Sequence, residues 1–198
     1  MINILDKLGR LLYRLECLIS RAHLTKLQHS GEFIVVGRGV KIDHQECVSL
    51  GDRVHINDYC WLSIVYEKSE SGQLMPHHRP KITIGSGTYI GRFSTLACIN
   101  HLSIGCNVLI SDRVFIGDST HGFLTTEHPI KDQDLFSPGP VIIGDGSWIG
   151  IGVSILPNVK IGRNCVIGAN SVVTKDIPDF CIAVGNPAKV IRFISPRI

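Results

Sequence analysis

Ten pairs of an aliphatic residue and a following glycine lie on a grid of six residues in this chain. The pairs are Val36-Gly37, Leu50-Gly51, Ile84-Gly85, Ile90-Gly91, Ile104-Gly105, Ile116-Gly117, Ile143-Gly144, Ile149-Gly150, Ile161-Gly162 and Ile167-Gly168. A short fixed period is typical of stacked repeats, and a period of six residues predicts a parallel β-helix. The alternative is a β-sandwich with glycine-rich turns, whose strands would recur roughly every 8–12 residues.

Two further positions of each hexapeptide support this prediction. The fifth position is small or β-branched, as at Thr88, Ser94 and Ser147, which suits a side chain that points into a narrow core. The fourth position is often a residue that tolerates a left-handed backbone. These residues are Gly39, Gly87, Asn107, Gly146, Gly152, Asn158, Asn164 and Asn170. Each hexapeptide is therefore predicted to form one strand and one corner, and three hexapeptides form one triangular coil.

The grid also gives the register of the coils. First hexapeptides begin at Leu50, Ile84, Ile104, Ile143 and Ile161, and third hexapeptides begin at Leu62, Leu96, Ile116, Ile155 and Val173. Two third hexapeptides run into long loops, at about Glu67–Lys81 and Gly122–Pro140. Both loops are expected to leave the same edge of the prism. Long loops in a compact repeat protein are usually functional.

The first thirty residues lie outside the grid and form a second predicted segment. Their apolar residues recur at steps of three and four, which indicates an amphipathic helix. This stripe consists of Leu5, Leu8, Leu12, Leu15, Ile19 and Ala22. We therefore divide the chain into a helix over residues 1–30 and a β-helix domain over residues 31–198.

The positive charge of the chain lies in that helical segment. Residues 1–30 carry five Lys or Arg against two Asp or Glu, a net charge of +3, so the remaining residues balance at zero. Lys7, Arg14 and Arg21 are seven residues apart and share one line of the helix. The helix could rest on an anionic membrane surface, or it could pack on the first coil or a partner subunit; we favour packing. The zero net charge of the residues outside this segment argues against nucleic-acid binding by the β-helix.

Cysteine usage predicts a cytoplasmic protein with reduced thiols. The seven cysteines are odd in number and include no C-x-x-C pair, and Cys60 and Cys165 occupy inward grid positions. No apolar run suggests a membrane span, and Arg14 and Glu16 interrupt the stretch where a signal peptide would need its apolar core. The location is therefore predicted to be the cytoplasm, with the inner face of the membrane as the alternative.

One histidine stands out as a candidate general base. His121 ends a third hexapeptide at the mouth of the second loop, where an outward imidazole can accept a proton near neutral pH. His101 and Lys160 are expected in the same column on neighbouring coils. Asp118 could orient His121, bind a sugar hydroxyl or serve as a turn residue.

The C-terminal region resembles a known family. Residues 171–178, SVVTKDIP, and residues 183–192, AVGNPAKVIR, are similar to the C-terminal signature of the hexapeptide-repeat acetyltransferases. The nearest branch contains the maltose, galactoside, Nod-factor and O-antigen O-acetyltransferases, and the resemblance covers about residues 32–194. It implies a left-handed β-helix, a homotrimer with active sites between subunits, acetyl-CoA as donor and direct attack by an acceptor hydroxyl.

The resemblance also assigns roles to individual residues. It places the catalytic histidine at His121 and a tryptophan beside the CoA cleft at Trp148. Further CoA-binding positions fall on Ala169, Thr174, Lys175, Lys189 and Arg192. The candidates for acceptor binding are Asp118, His101 and His128.

One departure from the family concerns the base. The sugar enzymes have proline directly after the catalytic histidine, whereas Gly122 follows His121, and the dipeptide His128-Pro129 lies seven residues on. An alignment anchored on His-Pro would choose His128. We prefer His121 because the grid has no gap between Ile104 and His121.

The sequence therefore predicts O-acetylation of a sugar hydroxyl, in a bacterial surface polysaccharide or its lipid-linked precursor. N-acetylation of an amino sugar or a small xenobiotic is the alternative among transferases. A γ-type carbonic anhydrase would use the same β-helix, but its zinc site needs two histidines five residues apart, and none occur near His101 or His121. We expect no metal. A non-catalytic scaffold would not need the CoA-binding string.

Overall fold

A computed structural model of the protein describes residues 4–22, 24–65 and 80–194, and it contains three sheets that wrap one apolar core. Side A contains the strands His29–Ser30, Val48–Leu50, Lys81–Ile84, His101–Ile104, Val141–Ile143 and Lys160–Ile161. Side B contains Val35–Val36, His55–Ile56, Tyr89–Ile90, Leu109–Ile110, Trp148–Ile149, Val166–Ile167, Cys181–Gly185 and Ala188–Phe193. Side C contains Lys41–Ile42, Trp61–Ile64, Thr95–Cys98, Phe115–Gly117, Ser154–Ile155 and Val172–Val173.

The chain visits the three sides in turn, and neighbouring strands within each side run parallel. The exception is the last pair on side B, where Ala188–Phe193 turns back antiparallel on Cys181–Gly185. On side A, Ile84 pairs with Leu50 and Ile104, and Ile143 pairs with Ile104 and Ile161. The third hexapeptides pair in the predicted order along side C. The predicted parallel β-helix and its register are confirmed, and the sandwich is excluded.

The repeated aliphatic residues form the core. The ten residues that precede a glycine on the grid are each at most 3% exposed. Thr88, Ser94 and Ser147 are also buried, because each hydroxyl donates to a backbone carbonyl and accepts a backbone N–H. The inward fifth position therefore accepts a polar side chain as long as its hydrogen bonds are made inside the prism.

The corners use the left-handed backbone. All eight predicted glycine and asparagine corners have a positive φ, between 51° at Asn164 and 72° at Gly87. Large side chains occupy several other corners, which the sequence did not indicate: Phe33, His44, Arg53, Tyr59, Phe93, Arg113 and Phe180. Tyr59 and Phe93 stack on one another with ring centroids 5.5 Å apart. Contact between rings on neighbouring coils thus accompanies a backbone conformation that bulky residues rarely adopt.

The glycine of an aliphatic-glycine pair lies where neighbouring coils approach closely, except at Gly117, where an added Cβ would meet the Phe115 ring of its own strand. A Cβ added to Gly85 would lie 2.5 Å from the carbonyl carbon of Gly105, and one added to Gly91 would lie 2.4 Å from that of Ser111. These contacts involve backbone, which cannot move aside as a side-chain end can. The repeat therefore needs glycine for coil-to-coil packing.

Both long loops leave the corner between side C and side A, called here the C–A edge. The first loop connects Trp61–Ile64 to Lys81–Ile84, and its interior, including His77 and His78, lies outside the described residues. The second connects Phe115–Gly117 to Val141–Ile143. It contains an antiparallel hairpin, Thr120–His121 with Leu135–Phe136, and the short 3₁₀ helix Ile130–Asp132. Another 3₁₀ helix, Gln45–Cys47, lies between Lys41–Ile42 of side C and Val48–Leu50 of side A, at the same C–A edge.

The N-terminal helix α1 spans Ile4–Ala22 and packs beside the first strand of side B. The repeat body begins at His29, two residues before the predicted boundary, because His29 and Ser30 already pair with Ser49 and Leu50. The apolar stripe itself does not face the first coil, since Leu8, Leu12 and other members of the stripe are exposed in the single chain; packing of the stripe against a partner subunit stays a prediction. Within the described residues, no helix is both long and apolar enough to cross a membrane.

Candidate active site

His121 lies on the hairpin of the second loop, at the C–A edge. Its backbone pairs with Leu135, and the next residue, Gly122, donates its N–H to the Asp134 carbonyl at 2.8 Å. The imidazole is exposed, as predicted. Within residues 4–22, 24–65 and 80–194, no side chain forms a hydrogen bond with the ring. Backbone pairing thus holds the residue while its imidazole stays available to a substrate.

Asp118 anchors the start of this loop to the neighbouring coil. Its carboxylate is fully buried and accepts N–H groups from Ile99 at 2.9 Å and Asn100 at 3.0 Å. The Cys98 thiol donates to it at 3.5 Å, and burial together with the Asp118 charge raises the pKa of that thiol. A carboxylate with no exposed surface cannot contact a sugar directly. The structure therefore favours a positioning role for Asp118 over acceptor binding, three residues before His121.

His101 does not share a column with His121 and Lys160, so that expectation is wrong. His101 pairs with Lys81, whereas Lys160 pairs with Ile142, which in turn pairs with Ser103 rather than His101. His121 has left the coil for the hairpin, because the chain leaves side C after Gly117, at the buried Asp118. Burial and the charge of Lys81 lower the pKa of His101, against an opposing effect of Asp118. His101 nevertheless lies at the C–A edge, next to the turn that Asp118 holds.

Other polar residues organise the second loop, and no sequence pattern pointed to them. The Gln133 amide donates to the carbonyls of Thr125 and His128, each at 3.0 Å. The Asn100 amide donates to the Ser137 hydroxyl at 3.3 Å. His128 is exposed, and its described hydrogen bond uses only its backbone carbonyl. Hydrogen bonds thus connect the interior of the second loop both within the loop and to the neighbouring coil.

Trp148 lies on side B rather than at the C–A edge. It pairs with Leu109 and Val166, its side chain is 48% exposed, and its indole N–H donates to the Ser111 hydroxyl at 3.1 Å. That hydrogen bond fixes the ring plane against the prism. A fixed aromatic surface of this kind can pack against a flat or apolar ligand group.

The other candidate CoA residues are distributed over several places. Ala169 is an exposed residue of the corner between sides B and C, and Lys189 and Arg192 are exposed on the last strand of side B. Thr174 and Lys175 follow Val172–Val173 at the C–A edge, two strands beyond Phe115–Gly117, or ~10 Å at the usual strand spacing. One chain therefore brings His121, Thr174 and Lys175 to one edge and leaves the remaining residues on another face.

Comparison with known proteins bears on this arrangement. The family described as bacterial transferase hexapeptide (six repeats) matches residues 140–175, a span that includes Trp148, Ala169, Thr174 and Lys175. The predicted resemblance to the hexapeptide-repeat acyltransferases is confirmed. A relative from Mycobacterium tuberculosis, named a probable acetyltransferase, is 34% identical over 162 residues, covering 80% of this chain and 49% of the relative.

A relative from Saccharomyces cerevisiae, likewise named as an acetyltransferase, is 47% identical over 119 residues. That match covers 57% of this chain and 59% of the relative. The hexapeptide-repeat chain thus spans about half to three fifths of the length of these two relatives.

Solved hexapeptide-repeat structures share the fold. A maltose O-acetyltransferase from Clostridium difficile 630 superposes with a TM-score of 0.60 at 27% identity, covering 96% of this chain and 86% of that one. A mutant of AntD, an N-acyltransferase from Bacillus cereus solved with dTDP and coenzyme A, superposes with a TM-score of 0.73 at 24% identity and 89% coverage of both chains. At that identity the second likeness shows the fold alone.

Proposed function

We propose that this protein is an acetyl-CoA-dependent O-acetyltransferase whose general base is His121. The observation that carries the proposal is an exposed imidazole on a loop that a buried carboxylate ties to the prism. The resemblance of the C-terminal string to acetyltransferases supports acetyl-CoA as donor, and the maltose enzyme among the structural relatives supports a sugar acceptor.

In the proposed reaction, His121 removes the proton from the acceptor hydroxyl as that oxygen attacks the thioester carbonyl. Acetyl-CoA supplies an activated acyl group and a thiolate leaving group, so no acyl-enzyme is required. The proton held by His121 is then available to the departing sulfur. A positioned base of this kind typically contributes ~10²–10⁴-fold in rate.

We further propose a homotrimer of left-handed β-helices, in which a second subunit completes each site. The separation of His121 from Trp148, Lys189 and Arg192 on one chain supports this. In a trimer, side B of one subunit could face the C–A edge of its neighbour. The positive charges of Lys175, Lys189 and Arg192 suit the phosphates of CoA.

For the acceptor, we propose a sugar of a bacterial surface polysaccharide, such as O-antigen, capsule or exopolysaccharide, or its lipid-linked precursor. Seven free cysteines support a reducing, cytoplasmic location. The two loops would select the acceptor, because both leave the C–A edge that carries His121. A screen of matched hydroxyl and amino sugars, read by release of the CoA thiol, separates O-acetylation from N-acetylation.

The assignment of the base is tested by His121→Ala. We expect the variant to fold and bind CoA while acetyl transfer falls by about two to four orders of magnitude. His128→Ala is the matched control on the same loop and should retain activity. If His128→Ala is inactive and His121→Ala is active, the assignment of the base is wrong.

A further inference from the structure

Helix α1 contacts the β-helix through its polar side. The Tyr13 hydroxyl donates to the Asp58 carboxylate at 3.2 Å, and the Glu16 carboxylate lies 3.7 Å from the Arg38 guanidinium. That guanidinium also lies over the Tyr13 ring, 5.6 Å from its centroid. Because an α-helix turns by about 100° per residue, these contacts fix which side of α1 faces outward.

The side of α1 that faces outward is apolar. Six large apolar side chains lie on it, with exposed fractions between 49% and 63%: Leu8, Leu11, Leu12, Leu15, Leu18 and Ile19. They follow steps of three and four residues, so they form one continuous strip along the helix. A contiguous exposed apolar surface of this kind marks a binding surface, since isolated exposed leucines would be scattered.

A row of positive charges borders this strip. Lys7, Arg14 and Arg21 recur every seven residues, directly beside the line of Leu11 and Leu18, and Arg10 lies one step further round. All four are exposed, and none takes part in an ion pair of the described residues. The acidic Glu16 lies on the other side, turned toward Arg38.

The two features together identify the partner by its chemistry. A surface that binds α1 must accept an apolar strip and, beside it, four positive charges. An anionic lipid surface provides both, with acyl chains below a layer of negative headgroups. A second copy of α1 would cover the strip but would bring a second set of positive charges to the contact.

We propose that the outward side of α1, formed by the six apolar residues and the four basic residues, is a docking surface for an anionic membrane. The helix lies in the plane of the membrane surface, with its leucines at the acyl boundary and its basic residues among the headgroups. The polar contacts of Tyr13 and Glu16 hold the β-helix on the opposite side. This proposal does not rest on acetyl transfer.

The test is co-sedimentation of the full chain with phosphatidylcholine vesicles that contain or lack phosphatidylglycerol. We expect binding to the anionic vesicles that weakens as salt is raised. The triple variant Lys7→Gln/Arg14→Gln/Arg21→Gln should bind about 100-fold more weakly, since each basic residue near such a surface contributes roughly fivefold. The pair Leu11→Ser/Leu18→Ser should also weaken binding. Circular dichroism verifies that each variant retains its fold.

A second triple variant controls for net charge. Arg53→Gln/Arg113→Gln/Lys131→Gln removes the same charge from exposed positions of the body and should bind like the parent protein. The proposal is overturned if the full chain ignores anionic vesicles, or if both triples lose binding equally. It is also overturned if Leu11→Ser/Leu18→Ser reduces the oligomeric state without changing vesicle binding, because a second copy then covers the strip. Vesicle binding by a protein without transferase activity would refute only the proposed function.

Discussion

At the scale of single residues, Asp118 links the core to the candidate base. It is a fully buried carboxylate whose described partners are two backbone N–H groups and a thiol. A buried charge is tolerated only where such hydrogen bonds replace water. The same bonds fix where the chain leaves the coil, three residues before His121.

We therefore expect Asp118→Asn to lower both stability and turnover. An amide keeps the shape but can accept only one of the two N–H groups, so unfolding in urea should show a loss of about 1–3 kcal/mol. Turnover should fall with little change in CoA affinity. Asp145→Asn is the matched control, because exposed Asp145 accepts one N–H, from Cys106 at 2.7 Å, and water can replace it. Equal effects of the two substitutions would argue against a special role for Asp118.

His101 gives a prediction about pH. Burial and Lys81 lower its pKa in the folded protein, whereas the unfolded chain takes up the proton at about pH 6.5. The unfolded state therefore binds more protons as the pH falls from 7 to 5, so stability falls over that window. His101→Gln should make the unfolding midpoint in urea less dependent on pH over this range, and His128→Gln is the control. An unchanged pH dependence in His101→Gln would contradict the prediction.

At the scale of the coil, the glycines of the aliphatic-glycine pairs set how closely neighbouring coils approach. Gly85→Ala would bring a methyl group within 2.5 Å of the Gly105 carbonyl carbon, so backbone must move. We expect a loss of about 1–3 kcal/mol and a lower melting temperature. Gly9→Ala is the control, since the added methyl meets nothing within 4 Å and alanine favours a helix. A melting temperature for Gly85→Ala equal to that of the parent would show that the coils can separate at little cost.

The coil is also the scale at which the sequence was most informative. Because one short unit repeats, each aliphatic-glycine pair fixes a strand and the next pair fixes its neighbour, so the register could be read directly. The left-handed corners with bulky residues, such as Phe93, could not be predicted from the sequence, because their conformation depends on contacts between coils rather than on residue type. The hairpin around His121 was not predicted for a related reason. The strand that pairs with His121 lies at the far end of a loop that has no sequence repeat. The burial of Asp118 likewise depends on N–H groups of another coil.

At the scale of the whole molecule, the distribution of the candidate site over two faces predicts a site shared between subunits. Mixing inactive His121→Ala with inactive Lys189→Ala/Arg192→Ala and reassembling the oligomer should then restore activity, to about a quarter of the parent value for random association. Each restored site would combine His121 from one subunit with the basic residues of another. Reassembled mixtures that stay inactive would place the complete site within a single chain.

The shared C–A corner of the two loops has a consequence for altering this protein. Hydrogen bonds between strands run along the prism axis and bypass the loops, so Leu62, Leu96 and Ile116 stay in register although the chain makes long excursions after two of their strands. The C–A edge is therefore a site at which inserted loops can be exchanged. Segments of different length and composition could be exchanged there without disturbing the stacked core. If the hairpin that holds His121 is kept, replacing the rest of the loops could direct the chemistry of the base and donor to a new acceptor.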